Sequence, residues 1–125
     1  MKFIRTKVNF KDARGEIRDI LTHVAIDSVT SITCATGAIR GNHYHKKTTQ
    51  YTYILSGKLM SYGRKGMRGK VVKKIVKAGD LLMHGPNEAH AFKAIEPSHL
   101  LQLGFGPRRG DDYELDTFRL EKPLV

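Results

Sequence analysis

The sequence predicts an all-β single domain, a sandwich or barrel of short strands. Three observations carry this. Apolar, β-branched and aromatic stretches recur along the whole chain. Turn-forming residues separate them at short intervals. No long amphipathic helix interrupts the pattern, which excludes alternating strand and helix units.

The elements follow in order. Strands are expected at Lys2–Asn9 and Gly15–Leu21, joined by the turn Asp12-Ala13-Arg14-Gly15. Ser28–Thr36 follows, rich in β-branched residues, and then Gly41–Lys46. Gln50–Ser56 and Lys58–Gly63 flank the turn Ser56-Gly57, and Lys70–Val76 precedes the turn Ala78-Gly79-Asp80. Asp80–His84 ends at Gly85-Pro86-Asn87, and His90–Ala94 and His99–Phe105 complete the set. Residues 1–105 are therefore expected to form the barrel. Residues 106–125, GPRRGDDYELDTFRLEKPLV, change in character and read as an arm packing on the barrel or on a neighbouring subunit.

The 125 residues suit one domain with one core, and a hydrophobic fraction of 40% argues against disorder. No apolar run approaches the ~20 residues that span a bilayer, and the N-terminal stretch has no apolar signal region. A single cysteine, Cys34, excludes a disulfide scaffold. Cytoplasm is the expected compartment and no membrane partner is expected. The net charge of +10 favours an anionic partner. The basic residues thicken between Arg64 and Lys77, where they alternate with glycines and then apolar residues, as on a hairpin with an exposed face. Nucleic acid is a poor fit, because neither a recognition helix nor interleaved aromatic residues accompany the charge.

The chemistry concentrates in three histidines. His43 and His45 are two apart, so on a strand both imidazoles face the same way. Gln50 opens the next strand, and His90 follows a second turn-rich stretch. Imidazoles converging from separate strands suit a divalent transition metal, and a barrel interior leaves coordination positions open. Zinc, nickel, iron, manganese and copper all fit such a set.

The spacing Gly37, five residues, His43, one residue, His45, four residues, Gln50, six residues, Gly57 resembles the first motif of the cupin family. The stretch from Gly79 through Pro86 to His90 resembles the second. This resemblance implies a jelly-roll double-stranded β-barrel with a metal inside, held by His43, His45, Gln50 and His90, and it implies a homodimer. Gln50 departs from the family pattern, which has a glutamate there. A neutral amide is a weaker ligand and leaves the metal's charge uncompensated, so the site should favour an anionic ligand.

A narrower resemblance lies in Arg40-Gly41-Asn42-His43-Tyr44-His45-Lys46, with Phe10-Lys11-Asp12-Ala13-Arg14-Gly15 upstream. These stretches are similar to cupins that modify sugar nucleotides in polysaccharide and deoxysugar pathways, the 3,5-epimerases and 3,4-ketoisomerases. The resemblance implies that Arg14, Arg40 and Lys46 hold the diphosphate. Epimerisation or keto-isomerisation needs a base to take a proton beside a ketone and an acid to return one. His43 or His45 could be that base, but a metal-bound imidazole nitrogen cannot also accept a proton, so the two roles compete; with metal bound, His84, Tyr53 and Tyr62 are the remaining catalytic candidates. A metal-dependent dioxygenase and a non-catalytic sugar-binding or sensing module stand as alternatives. Cys34 reads as a buried thiol, Asp80 as a turn residue, and Glu88 as a solvated loop residue. Asp111, Asp112, Glu114 and Asp116 read as a charge complement to the basic barrel.

Overall fold

The computed structural model describes residues 1–125. The chain forms twelve strands: β1 (Lys2–Arg5), β2 (Phe10–Asp12), β3 (Gly15–Ile17), β4 (Ser28–Cys34), β5 (Ile39–Tyr44), β6 (Thr49–Ser56), β7 (Lys58–Lys65), β8 (Val72–Lys77), β9 (Asp80–His84), β10 (Glu88–Ala94), β11 (Ser98–Phe105) and β12 (Phe118–Arg119). A 3-10 helical segment, Gly110–Asp116, precedes the last. Two antiparallel five-stranded sheets face each other, in the orders β1-β9-β6-β11-β4 and β12-β5-β10-β7-β8. This is the expected all-β jelly-roll architecture.

Several boundaries differ from those the sequence predicts. The first strand ends at Arg5, because Thr6 turns its hydroxyl and its N–H toward the Gly79 carbonyl. Phe10–Asp12, outside the strands the sequence predicts, pairs with Gly15–Ile17 as a separate hairpin. Lys70 and Val71 fall outside β8, and His45 lies just past the end of β5.

Alternation along the strands divides the barrel interior into two ends. On β6 the buried series runs Gln50, Thr52, Ile54, and on β10 it runs His90, Phe92, Ala94. Both pass from polar to apolar. At the apolar end Ile54, Leu59, Val76, Leu82, Phe92 and Leu100 form the core with Cys34 and Ala94. At the polar end the same strands present histidine, glutamine and threonine. One core thus holds the sheets together while the other half of the interior stays available for a site.

The β5–β10 pairing carries a register shift where His90 opposes His43 but Ala91 opposes Gly41. Asn42 takes a positive φ of 57° at this bulge, a conformation asparagine tolerates. A Cβ on Gly41 would sit 2.7 Å from the His90 carbonyl oxygen. The glycine therefore lets the two histidine-bearing strands approach.

The C-terminal segment lies against the barrel of its own chain. β12 extends the second sheet alongside β5. Asn42 holds the residues beyond it, accepting from the Leu120 and Leu124 N–H groups through its main-chain and side-chain oxygens.

Candidate functional site

Four imidazoles gather at the polar end. The ring centroids of His43 and His45 are 4.9 Å apart, those of His43 and His90 4.7 Å, and those of His45 and His90 5.3 Å. His84, from β9 in the opposite sheet, stands 4.7 Å from His90. The side-chain nitrogens of His43, His45 and His90 include a set lying within 4.8 Å of one another.

Two of these rings are fixed from behind. Nδ1 of His45 lies 2.6 Å from the main-chain carbonyl of Asp116, and Nδ1 of His90 lies 3.0 Å from that of Glu88. A carbonyl only accepts, so each Nδ1 is the protonated nitrogen and each Nε2 carries a lone pair. Both Nε2 atoms are buried and have no hydrogen-bond partner, as has Nε2 of His84. Buried polar atoms without partners are uncommon, and a metal or ligand satisfies them.

Electrostatics keep the rings neutral. Burial, with further repulsion from His45, Arg108 and Arg119, lowers the pKa of His43 to about 4. Burial likewise lowers His84 to about 4 and places His90 well below its ordinary range. His45 is lowered by burial, which its bond to the Asp116 carbonyl only partly offsets. At neutral pH the cluster offers lone pairs and no positive charge. The residues therefore fit a divalent transition metal: imidazoles aimed together, braced from outside, with inward nitrogens unsatisfied.

His43, Gln50, Thr52 and His90 line a cavity of about 190 Å³ beside the cluster. Gln50 accepts a hydrogen bond from Gln102 at 3.0 Å through the amide oxygen that would reach a metal. The charged residues lining the cavity are Arg40 and Arg108, and no carboxylate lines it. Arg108 is half-buried and forms no salt bridge, and burial lowers its pKa.

The expected residues separate into two groups. His43, His45, Gln50, His90 and Arg40 meet at this site, and His84 stands directly behind it. Arg14 does not, because its guanidinium pairs with Asp12 across the β2–β3 turn and stays exposed. Lys46 points away as well, its ammonium 4.2 Å from the centre of the Phe118 ring on the outer surface. Tyr53 alternates with Thr52 and Ile54, which face inward, so it belongs to the opposite face of its sheet. Tyr62 alternates with buried Ser61, and the Lys73 ammonium sits over its ring. Neither tyrosine lines the cavity.

Two residues escape the motif reading. Arg108 lies in the tail, where a pair of adjacent arginines gives no sign of which turns inward. Asp116 is the second. Its carboxylate accepts from the N–H groups of Lys46, Lys47 and Thr48 at 2.8–3.0 Å and from the Thr48 hydroxyl at 2.7 Å. It fixes the loop after His45 while its own carbonyl holds the His45 ring. Within the acidic cluster of the tail, Glu114 pairs with Arg119 and Asp116 caps a loop. Glu88 is likewise not merely solvated, since it accepts from the N-terminal ammonium of Met1 and from the Gly85 N–H.

Comparison with known proteins agrees with this architecture. Among curated proteins, no sequence matches significantly. Among solved structures, a double mutant of the QdtA 3,4-ketoisomerase from Thermoanaerobacterium thermosaccharolyticum, in complex with TDP, superposes with a TM-score of 0.72 at 25% identity, covering 95% of this chain and 86% of that one. The dTDP-4-dehydrorhamnose 3,5-epimerase from Sulfolobus tokodaii superposes with a TM-score of 0.73 at 21% identity, over 83% of this chain and 69% of that one. The capsular polysaccharide assembling protein CapF from Staphylococcus aureus matches 94% of this chain but only 33% of its own length, with a TM-score of 0.64 at 18% identity. The family model described as Cupin matches residues 17–109, and with both histidine motifs inside that span the chain belongs to the cupin family.

Proposed function

We propose that this cupin is a metal-binding isomerase or epimerase acting on a sugar nucleotide or a related phosphorylated carbohydrate. The observation that carries the reading is a cluster of neutral, inward-facing imidazoles opening on a cavity whose charged lining is Arg40 and Arg108 alone. Such a cavity selects an anion and has nothing to repel one. The structural neighbours whose names specify sugar-nucleotide epimerases and ketoisomerases point the same way.

The cavity, about 190 Å³, is smaller than the roughly 300 Å³ at which pockets begin to enclose drug-sized ligands. A sugar ring enters it, and the nucleotide stays outside near the arginines. His43, His45 and His90 would hold the metal, with the Gln50 amide beside them. When bound, it would supply a Lewis acid for a ketone oxygen of the substrate. The arginines keep the phosphorylated end in place, and the buried walls hold the reacting carbons away from bulk water.

A second reading has a specific observation behind it. Tyr53 and Tyr62 face away from the cavity, and His84 lies behind its wall, so no free acid or base lines it once three histidines hold a metal. This favours a barrel that binds the sugar nucleotide without turning it over. Solvent deuterium incorporation into a panel of dTDP-4-keto sugars separates the two. Exchange at a carbon beside the ketone supports the isomerase. Tight binding with no exchange for any of them overturns it and leaves the binding module. Elemental analysis of protein purified without added metal tests the centre itself: one equivalent is expected, lost in His43→Ala and in His90→Ala. A homodimer belongs to the same reading, supported by exposed Val29, Leu55 and Phe105 on strands of the first sheet, and sedimentation analysis tests it.

A further inference from the structure

The positive charge of this protein is not spread over its surface. Residues 58–77 contain eight lysines and arginines and no aspartate or glutamate, so this one segment accounts for +8 of the net +10. It forms the hairpin of β7 and β8, at the edge of the second sheet. None of its eight cations enters a salt bridge, although six salt bridges form elsewhere. Glu88, opposite Lys65 on β10, is engaged by the N-terminal ammonium.

The hairpin is also apolar where it is exposed. Met67 at its tip is 74% exposed, Val72 54% and Ile75 51%. Leu59 and Val76 oppose each other and are buried, so alternation sends Met60 and Ile75 outward as a pair. The outward rows then read Lys58 with Lys77, Met60 with Ile75, and Tyr62 with Lys73, and Lys93 of β10 stands beside Met60. One apolar pair, Met60 with Ile75, thus sits between rows carrying cations, while Val72, opposite Gly63, alternates onto the other face.

Edge strands carry lysines to block pairing with other chains. That purpose calls for a few charges and for no exposed apolar residues, whereas this edge has many of both. Nucleic acid would call for aromatic residues free to stack, and the hairpin's one aromatic residue, Tyr62, has the Lys73 ammonium over its ring. Cations flanking exposed aliphatic side chains match a bilayer carrying anionic lipid, where the charges meet headgroups and the apolar residues enter the interface.

We propose that the β7–β8 hairpin docks this protein on an anionic membrane surface. Such docking is peripheral and needs no spanning segment; no helix of the chain is long and apolar enough to cross a membrane. It departs from the sequence expectation of no membrane partner.

The full-length protein is sedimented with vesicles at about 0.15 M salt, using phosphatidylcholine alone and phosphatidylcholine with one-third phosphatidylserine. Binding only to the second is expected, weakening as salt rises. Equal binding to both, or to neither, overturns the proposal without recourse to any variant. Each cation near such a surface contributes about 1 kcal/mol, a factor of about 5 in affinity. The triple variant Lys65→Gln, Lys70→Gln, Lys73→Gln should therefore bind about 100-fold more weakly, and unchanged binding refutes the assignment to this hairpin. Met67→Ser with Ile75→Ser should also weaken vesicle binding, and no effect rules out apolar insertion. Tighter binding to a single-stranded RNA or a duplex DNA than to the vesicles replaces the membrane with nucleic acid.

Discussion

Replacing Asp116 by alanine tests how the C-terminal segment supports the site. The carboxylate is 2% exposed and accepts four hydrogen bonds, one of them from a hydroxyl. The Lys46 and Lys47 N–H groups are only partly buried, so water replaces the carboxylate there at little loss. The two donors of Thr48 are fully buried. Hydrogen bonds to a charged group contribute about 1.5–3 kcal/mol each, which makes the expected loss about 3 kcal/mol or somewhat more. For a chain of this size that lowers Tm by roughly 10 °C. Burial by itself would raise the Asp116 pKa, but the Thr48 hydroxyl and the three N–H donors outweigh it and hold the carboxyl below its ordinary value. A depressed folded-state pKa means that this stabilisation is full above the ordinary carboxylate range and fades as pH falls through the folded value. Thermal unfolding followed by circular dichroism at neutral pH and again near pH 3 measures both effects. The gap between wild type and Asp116→Ala should be wide at neutral pH and narrow in acid. A Tm within about 2 °C of wild type at neutral pH, or a gap that widens in acid, refutes the reasoning.

Three further predictions concern the site. Gly41→Ala places a methyl group against the His90 carbonyl in a backbone conformation with φ of +93°; a loss of at least about 2 kcal/mol in urea unfolding is expected. Gln50→Glu puts a carboxylate among the imidazoles while Gln102 still has an oxygen to donate to. Metal retention against a chelator should rise about tenfold, as for roughly 1.4 kcal/mol of added ligand charge, and affinity for dTDP should fall. Arg108→Leu should weaken dTDP binding by about tenfold in calorimetry, a charge-assisted contact of roughly 1.5 kcal/mol, whereas Arg14→Ala should change it by less than about twofold.

What the sequence revealed depended on local geometry. His43 and His45 were legible as a pair because the strand period turns both to one face, while Gln50 and His90 were legible as their partners through the resemblance to the two cupin motifs. The same period, counted from Gln50, would have turned Tyr53 outward. The arginines were less legible. A guanidinium sits at the end of a long flexible chain, and its direction is settled by partners: Asp12 captured Arg14, while Arg108 found no carboxylate and lines the cavity. The role of Asp116 was beyond reach. It contacts a ring 71 residues away, and its neighbours Asp111, Asp112 and Glu114 disguise it as one charge among several.

The grip of Asp116 on His45 makes the tail a working part of the site: its carbonyl orients the His45 ring, and its carboxylate holds the loop that follows. Truncations and C-terminal fusions of this protein are in that sense perturbations of its chemistry.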